Sequence, residues 1–539
     1  MLGEVPLPIP RWQPKDAASK QEGVILKRVA RKRRLFEFLR LYRMGIFDEA
    51  FQAELEGMYR DTGAGLEPIA PALMAMALIL QGYLGVSDAD AVELTVLDLR
   101  WQMVLDRLGH DEPAFSQGAL FEFRERMIRT NMDRRLLERT AEVARQTNAF
   151  DWRKLPKTLR VAVDSSPLVG AGRVEDTINL LGHAARKTVA LSAELLGWSP
   201  EKVAKAAGIP LLLESSVKKA LDVEWADGDA KASALSRLVE QLDSLETWVR
   251  ERLGKELEKP PLKDVMDTLQ QIRRQDLEPD PDGRGKPRVR QGVAEDRRVS
   301  VEDPDMRHGR KTKSKRFNGF KRHIASDLDT NLILACAVTP ANRPEGDAMP
   351  ELKADIERAQ RVIAEVHVDR GYIASPVVAE ILAEKGDVLC KPWVPRNGDL
   401  FTKADFKINV RELTITCPAG ETQPIRPGAV AAFEPGSCDR CSLRTQCTNA
   451  ALGSGRTVNI AQDEVLQQRL RRRIATPRGR TRLRERVAIE HNLAHISQRQ
   501  GNRARYRGLR KNQYDVRRAA TIQNLERIQK WLADAEEAA

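Results

Sequence analysis

Three acidic residues of this chain have the chemistry and the setting to hold divalent metal ions. Asp164 follows the short apolar run LRVAV, Asp369 follows VIAEVHV and precedes RGY, and Glu490 lies in the Arg-rich stretch RLRERVAIEHNLAH. Mg²⁺ prefers oxygen ligands and keeps several waters, so a few carboxylates and a phosphate complete its coordination shell. Two ions roughly 4 Å apart can activate the oxygen that attacks a phosphodiester and stabilise the oxygen that leaves. Acids at two strand ends and on a helix therefore predict an enzyme that cuts and rejoins DNA.

Two of these acids also have ordinary structural interpretations. Asp164 precedes SSP, a natural turn, where Asp commonly caps the chain. Glu490 shares one helical face with Val487 and Ala494, so we expect its carboxylate to face inward, where it needs a cation. The alternative for Glu490 is a surface pair with Arg486, four residues earlier. From these residues alone we prefer the metal site for Glu490, whereas for Asp164 the turn and the metal site both remain open.

The positive charge of the chain is concentrated in one segment. Residues 469–518 carry 16 Arg and one Lys against three acids, a net charge of +14, which exceeds the +12 of the whole chain. Concentrated basic charge of this kind is typical of a nucleic-acid partner, although a solvated basic helix is the alternative. The candidates for DNA contact in this segment are Arg486, Arg503, Arg505, Arg507, Arg510 and Lys511.

Length and hydropathy set the class of protein. The chain has 539 residues, enough for several domains of about 100–200 residues. Its 42% apolar content predicts real cores, but no apolar run approaches the ~18 residues that span a bilayer. The first residues, MLGEVPLPIPRW, lack the basic and apolar regions of a secretory signal. We expect a cytoplasmic protein with no membrane partner.

The pattern of elements predicts an α/β protein. Residues 1–150 are helical; a strand then ends at Asp164, and a helical block occupies 177–299 with its linker. Strands and helices alternate over 300–400, which favours a mixed sheet with parallel central strands. This order resembles the ribonuclease-H-like fold, with a helical insertion after the first strand. In that fold the first and fourth strands are parallel neighbours, so the resemblance implies that Asp164 and Asp369 lie side by side.

Four motifs together resemble the DDE transposases of bacterial insertion sequences, in the branch related to hairpin-forming enzymes. VAVDSSPLVGAGRVEDT is similar to the first-Asp motif, KRFNGFKRHIASDLDTNLILA to the family hairpin, VHVDRGY to the second-Asp motif, and the segment from RERVAIEHNLAH onward to the Glu-bearing region. The resemblance implies that Asp164, Asp369 and Glu490 bind Mg²⁺ or Mn²⁺ and that Arg486 is the family arginine four residues before the Glu. Two positions depart from the family pattern, because Leu483 and Ser497 stand where relatives often have Tyr and Lys.

The resemblance also implies an activity and partners. The expected reaction is nicking of double-stranded DNA at the element's ends, followed by attack of the freed 3′-hydroxyl on target DNA by a homodimer. The helical domain 1–150 would bind the ends, 157–176, 300–400 and 480–500 would form the catalytic core, and 501–539 would be a basic helical tail. Related enzymes stack a flipped base on a tryptophan of the insertion, where Trp198, Trp225 and Trp248 are candidates, although each is also a natural core residue. A nuclease of the same fold and a catalytically silent DNA-binding protein remain alternatives.

Four of the six cysteines form a metal-ligand pattern. Cys417, Cys438, Cys441 and Cys447 follow the spacing C-x20-C-x2-C-x5-C. Zn²⁺ accepts four thiolates tetrahedrally, and a C-x2-C pair is a common half-site. An iron–sulfur cluster and reduced free thiols are the alternatives. The favoured interpretation is a small four-cysteine subdomain over 405–460 that holds structural zinc and helps to bring Glu490 to the two aspartates.

Overall fold

A computed structural model describes residues 9–59, 68–147, 158–278, 287–312 and 314–538. The described parts of the chain form a mixed α/β protein with one curled, mixed central sheet. The helices that precede this sheet are α1 (Lys20–Lys32), α2 (Arg34–Ile46), α3 (Glu49–Glu56), α4 (Pro71–Leu84), α5 (Asp88–Leu97), α6 (Leu99–Leu105), α7 (Gln117–Arg129) and α8 (Met132–Gln146).

Local capping residues set the boundaries of the N-terminal helices. Helix α4 ends at Gly85, whose φ of 73° places it in the left-handed region, and Ser87 caps α5 by accepting the N–H of Asp90. Residues 88–105 form two helices and not one, because Asp98 ends α5 and its side chain caps α6. Among the described helices none is by itself long and apolar enough to cross a membrane. Helices α4 and α5 meet the length and composition criteria only as a pair that bends by 105°.

The central sheet contains six of the described strands. The strands up to residue 389 are β1 (Thr158–Val169), β2 (Leu277–Glu278), β3 (Arg288–Val289), β4 (Arg307–Arg310), β5 (Arg316–Asp327), β6 (Ile333–Pro340), β7 (Val362–His367) and β8 (Asp387–Leu389). The sheet order is β4-β5-β1-β7-β8, with β6 also paired to β5, whereas β2 and β3 form a separate ribbon. The predicted hairpin is therefore confirmed as β5–β6, and the predicted parallel pairing is confirmed as β1–β7.

Strand β1 is longer than the sequence predicted. The expectation that SSPLVGAG ends the strand at Asp164 is wrong, because β1 continues to Val169 along β5. Parallel pairing with β7 stops at Ala162, and β1 is next paired on that side at Val169, whose N–H donates to the carbonyl of Asn502. Pro167 lies two residues before Val169, so its nitrogen faces the same side of the strand, at a position between the two pairings where no donor is needed. Asp164 consequently lies just beyond the end of the β1–β7 ladder.

The helical insertion after β1 has a core of its own. Its helices are α9 (Thr177–Leu196), α10 (Pro200–Ala207), α11 (Val217–Ala220), α12 (Gly228–Leu253) and α13 (Leu262–Asp276). Part of the predicted linker, 279–286, lies outside the described residues. Trp198, Trp225 and Trp248 are partly buried against the insertion core, and the rings of Trp198 and Trp248 lie 6.2 Å apart.

The rest of the chain completes the sheet and adds a small domain. Helices α14 (Met349–Arg358) and α15 (Pro376–Ala383) alternate with β7 and β8. The short strands and helices that follow are β9 (Lys407–Asn409), β10 (Thr414–Thr416), β11 (Thr422–Pro424), β12 (Val430–Ala432), β13 (Thr457–Asn459), α16 (Pro435–Asp439), α17 (Arg444–Cys447) and α18 (Glu464–Ala475). The last helices are α19 (Pro477–Arg484), α20 (Val487–Gln500) and α21 (Leu509–Ala538). Helix α21 packs on β6 and on the N-terminal helices α4 and α8.

Candidate active site

The sheet brings Asp164 and Asp369 together. Ala162 of β1 is paired in register with His367 of β7, and each aspartate lies two residues further along its chain. Alternate residues of a strand point to the same face, and the carboxyl ends of parallel strands meet at one edge. The two carboxylates therefore emerge at one place, although 205 positions separate them in the sequence.

Arg486 joins all three predicted acids. Its guanidinium lies 3.1 Å from Asp164 Oδ2, 3.5 Å from Asp369 Oδ2 and 3.5 Å from Glu490 Oε1. Arg486 is the residue before α20, and Glu490 lies in the first turn of that helix. The structure thus places Asp164, Asp369 and Glu490 around a single cation.

The expected orientation of Glu490 is wrong. Its side chain is 59% exposed, and Val487, on the same face, is exposed as well. The face of α20 that is buried instead carries Ile489, Leu493 and Ile496. That stripe is longer and more apolar than the one through Val487, so it determines how the helix packs. Glu490 reaches the site from the rim, where solvent and a large substrate have access.

Burial affects Asp164 more than its two partners. Its side chain is 14% exposed, whereas that of Asp369 is 56% exposed. Burial raises the pKa of Asp164 to about 6; the charge of Arg486 and the N–H of Ser165 oppose that rise, and the carboxylates of Asp369 and Glu345 add to it. A cation that enters beside Asp164 would relieve an unfavourable buried charge.

A buried hydrogen-bond chain supports the site from behind. The Ser165 hydroxyl donates to Glu345 Oε1 at 2.8 Å, and Ser165 also hydrogen-bonds Tyr372. The Tyr372 hydroxyl lies 2.8 Å from His323 Nδ1, and His323 Nε2 lies 2.9 Å from Thr339 Oγ1. Burial lowers the pKa of His323 to about 3, so the imidazole is neutral. A neutral imidazole donates through one ring nitrogen and accepts through the other, so His323 can continue the chain from Tyr372 to Thr339.

Sequence reasoning missed Glu345. A side chain on Gly371, two residues after Asp369, would overlap its carboxylate, which explains the glycine of DRGY. Glu345 begins a single 3-10 turn before α14, where nothing in the local pattern marks it as functional. Its proximity to Ser165 depends on a contact across 180 positions.

A second cluster contains residues of the types that bind metal ions. Ligand atoms of Glu365, His367 and Glu485 all lie within 4.8 Å of one another, the set that meets this criterion among the described residues. Arg160 is ion-paired to both glutamates, and Arg482 is ion-paired to Glu365. Arg160 also pairs with Asp329, and Arg482 with Asp387, so both glutamates already belong to a larger network of arginines and acids. We therefore interpret this cluster as an ion-pair network that anchors α19 to the sheet, and favour the three acids around Arg486 as the metal site.

The other predicted DNA-binding side chains have partners within the protein. Arg510 is ion-paired to Asp133, Lys511 to Glu125 at 2.7 Å, and Arg507 to Glu302 at 2.7 Å. Arg503 and Arg505, which are exposed, each donate to a backbone carbonyl, of Ala171 and Gly85 respectively. Much of the charge of segment 469–518 therefore connects parts of the protein. Arg507, Arg510 and Lys511 are paired with acids, whereas exposed Arg503 and Arg505 bond only to backbone carbonyls in the described contacts. Arg503 and Arg505 are therefore the two most available to a ligand.

The four clustered cysteines line one cavity. This cavity, of about 380 Å³, is bordered by Cys417, Cys438, Cys441 and Cys447, all unbridged. Burial and then the neighbouring thiols raise the pKa of Cys447. Backbone N–H groups of Leu443 and Arg456 donate to the sulfurs of Cys441 and Cys438 at 3.4 Å. A tight turn follows Cys417, in which the N–H of Gly420 donates to the Cys417 carbonyl and Gly420 has a φ of 99°.

Two families of known proteins match parts of the chain. The family described as "Transposase DDE domain" matches residues 413–529, and a second family, "Transposase domain", matches residues 27–126. The chain is therefore a transposase of the DDE class. More particularly, it belongs to the DDE transposases of insertion sequences.

The extent of the two matches is also informative. The first includes Glu490, Arg486 and the cysteine cluster, and the second lies within the N-terminal helices. Neither match reaches Asp164 or Asp369, so those two assignments depend on the structure and the motifs. No curated protein and no solved structure matches the chain.

Proposed function

We propose that this transposase cuts double-stranded DNA at the ends of its insertion sequence and joins the freed 3′-hydroxyl to target DNA. The observation that carries the proposal is the convergence of Asp164, Asp369 and Glu490 on one cation-binding point. An all-oxygen donor set open to solvent suits Mg²⁺ or Mn²⁺. Such ions would activate the attacking oxygen and stabilise the leaving oxygen of the phosphodiester.

The protein's own groups would orient these reactants. The Ser165 N–H holds Asp164 Oδ1 at 2.8 Å, which fixes the direction of Oδ2. Exposed Asp369 and Glu490 would meet the phosphate from the solvent side. The strand order, with β5, β1, β7 and β8 side by side and a helical insertion after β1, supports a ribonuclease-H-like core.

The remaining regions would bind and pair the DNA ends. Residues 1–150 would bind the terminal repeats, with 157–176, 300–400 and 480–500 as the catalytic core, 177–299 as its insertion and 501–539 as the C-terminal helical segment. Exposed Arg503 and Arg505 would contact phosphates directly, whereas Arg486, Arg507, Arg510 and Lys511 would do so only by exchanging their acidic partners within the protein. Because two ends must be held together during transposition, we infer a homodimer on DNA.

Cys417, Cys438, Cys441 and Cys447 would hold a structural zinc ion within 405–460. Four thiols around one cavity, two of them accepting backbone N–H groups, fit the tetrahedral thiolate site that Zn²⁺ prefers. Metal analysis of purified protein should give one zinc per chain and none in Cys438→Ser/Cys441→Ser. Zinc retained by that double variant would contradict the assignment.

The decisive test is Mg²⁺-dependent cleavage of DNA that carries the element's ends, comparing wild type with Asp369→Asn. Loss of a metal ligand should reduce cleavage by at least about 100-fold with DNA binding retained. Equal cleavage by both proteins would exclude Asp369 as an essential ligand. Tight binding without cleavage by either would favour a DNA-binding protein, and cleavage without joining to a second DNA would favour a nuclease.

A further inference from the structure

The three acids of the site are held by one residue of the protein itself. Carboxylates brought this close repel one another unless a cation lies among them. Arg486 is that cation, with a side chain only 15% exposed. It contacts Asp164, Asp369 and Glu490 through one guanidinium.

The guanidinium uses the oxygens that a metal ion would need. On Asp164, Oδ1 already accepts the N–H of Ser165, and Oδ2 accepts Arg486. Asp369 Oδ2 and Glu490 Oε1 also face the arginine. A divalent ion that bridges these oxygens must therefore displace the guanidinium, since two cations cannot share the same lone pairs at close range.

The protein offers no other acid to Arg486 in the described contacts, but a DNA phosphate is an equivalent acceptor. Guanidinium binds phosphate oxygens through parallel N–H groups, as it binds carboxylates. Arg484, two positions earlier in the chain, is also exposed. Because Asp369 and Glu490 are more than half exposed, a backbone phosphate can reach the site from solvent and meet Arg486 beside the acids.

We propose that Arg486 is a stand-in cation that keeps the metal site assembled and closed to ions until a DNA phosphate takes the guanidinium. Metal and DNA then bind cooperatively, because the step that satisfies Arg486 also frees the three carboxylates. This inference rests on the proposed function of the acids as metal ligands. Arg486 would thus have two roles: it holds the three carboxylates before DNA binds, and it then exchanges them for a DNA phosphate.

The test is Mn²⁺ binding, measured by the electron paramagnetic resonance of the free ion on zinc-loaded protein. In the absence of DNA, Arg486→Gln should bind Mn²⁺ more tightly than wild type by roughly 5- to 150-fold, the usual range for coupled sites. Arg484→Gln carries the same change in charge without touching the acids, and should match wild type. A short DNA duplex should raise the affinity of wild type for Mn²⁺ by a larger factor than that of Arg486→Gln.

Two further variants make the outcome decisive. Arg486→Lys keeps the charge but cannot span three carboxylates, so its affinity should fall between wild type and Arg486→Gln, and it replaces the latter if that protein fails to fold. Unchanged or weaker binding in both Arg486 variants overturns the exchange. If Mn²⁺ binding is absent both from Arg486→Gln and from wild type with DNA, or is unaffected by Asp369→Asn, the proposed metal site fails and this inference fails with it. If Asp369→Asn abolishes Mn²⁺ binding but the Arg486 variants bind Mn²⁺ as wild type does, the metal site stands and only the proposed exchange is refuted.

Discussion

Two clusters of arginine and acidic residues contain the same chemical groups but differ in charge balance and in exposure to solvent. The active-site cluster comprises Asp164, Asp369, Glu490 and Arg486, with one arginine for three acids and two acids more than half exposed. The interface cluster comprises Asp133 of α8, Asp355 of α14, and Arg510 and Arg517 of α21.

The interface cluster is balanced and closed. Arg517 bridges Asp133 at 3.3 Å and Asp355 at 3.0 Å, and all three side chains are at most 3% exposed. Excess negative charge with access to solvent leaves capacity for a further cation, whereas paired charges in a closed interior leave none. The comparison shows that charge balance and exposure, rather than residue type, separate the candidate site from the scaffold.

The largest effect should follow from unbalancing the interface cluster. Asp133→Asn removes the shared partner of two arginines, one of them buried, and should cost about 3–5 kcal/mol of unfolding free energy. The first transition of a urea titration measures it. Glu125→Gln breaks the more exposed pair with Lys511 and should cost less than about 1 kcal/mol. Equal losses would remove the distinction between closed and open pairs.

The active-site cluster should respond to neutralisation in the opposite direction. The pKa of Asp164 is raised to about 6 in the folded protein, so ionisation of this carboxyl opposes folding. The contribution of Asp164 to the free energy of unfolding is complete below the pKa of the unfolded chain. It is lost as the pH rises through the folded-state pKa. Asp164→Asn should therefore stabilise the protein by roughly 1–2 kcal/mol at neutral pH, after allowance for solvent screening.

That gain should shrink as the pH is lowered toward about 5, where wild-type Asp164 is itself largely protonated. Urea titrations at the two pH values, without added divalent ions, provide the measurement. Asp369→Asn, at a more exposed position, should change stability less. A gain that grows on acidification would show that burial does not control Asp164.

Two arginines of the basic segment should separate DNA contact from scaffolding. Arg503→Gln should reduce the slope of log affinity against log salt by about one, as expected for the loss of one phosphate contact, and should leave stability unchanged. Arg510→Gln should instead destabilise the protein, because Asp133 then loses one partner. If Arg503→Gln destabilised the protein and Arg510→Gln changed only the salt dependence of DNA binding, Arg510 would be the DNA contact and Arg503 part of the scaffold.

The smallest effect should come from the Glu365–His367–Glu485 cluster. Glu365 and Glu485 are already ion-paired to Arg160 and Arg482, so we do not expect them to bind a metal ion. Glu485→Gln should therefore change the affinity for Mn²⁺ by less than about twofold. Asp369→Asn, tested in parallel, should abolish the binding. Loss of Mn²⁺ binding in Glu485→Gln would move the metal site to this cluster.

Local features were predictable from the sequence, and distant pairings were not. Ser87 and Ser116 are recognisable as caps from the sequence, because a cap acts within three residues, and each accepts the N–H of the residue three positions later. The adjacency of Asp164 and Asp369 needed the fold resemblance, since strand pairing leaves no local mark. The partner of Arg510 lies 377 positions away, so a basic stretch could not be distinguished from half of an interface.

Orientation was the other limit. Val487 and Ala494 seemed to define the buried side of the helix that carries Glu490, but Ile489, Leu493 and Ile496 form a stronger stripe on another side. Glu345 had no local signal, because its role comes from contacts with Ser165 and with the chain at Gly371. The acids themselves could be selected by type and spacing, while their environment required the folded chain.

Helix α21 has a consequence for the order of events during synthesis. Ile522, Leu525 and Ile528 belong to the same buried core as the N-terminal helices, and a Cβ on Gly82 would lie 2.8 Å from Ile522 Cδ1. The ribosome makes α4 more than four hundred residues before its packing partner on α21. The core of the N-terminal helices therefore lacks part of its packing until α21 has been synthesised, so we expect these helices to reach their final packing only after that helix is available.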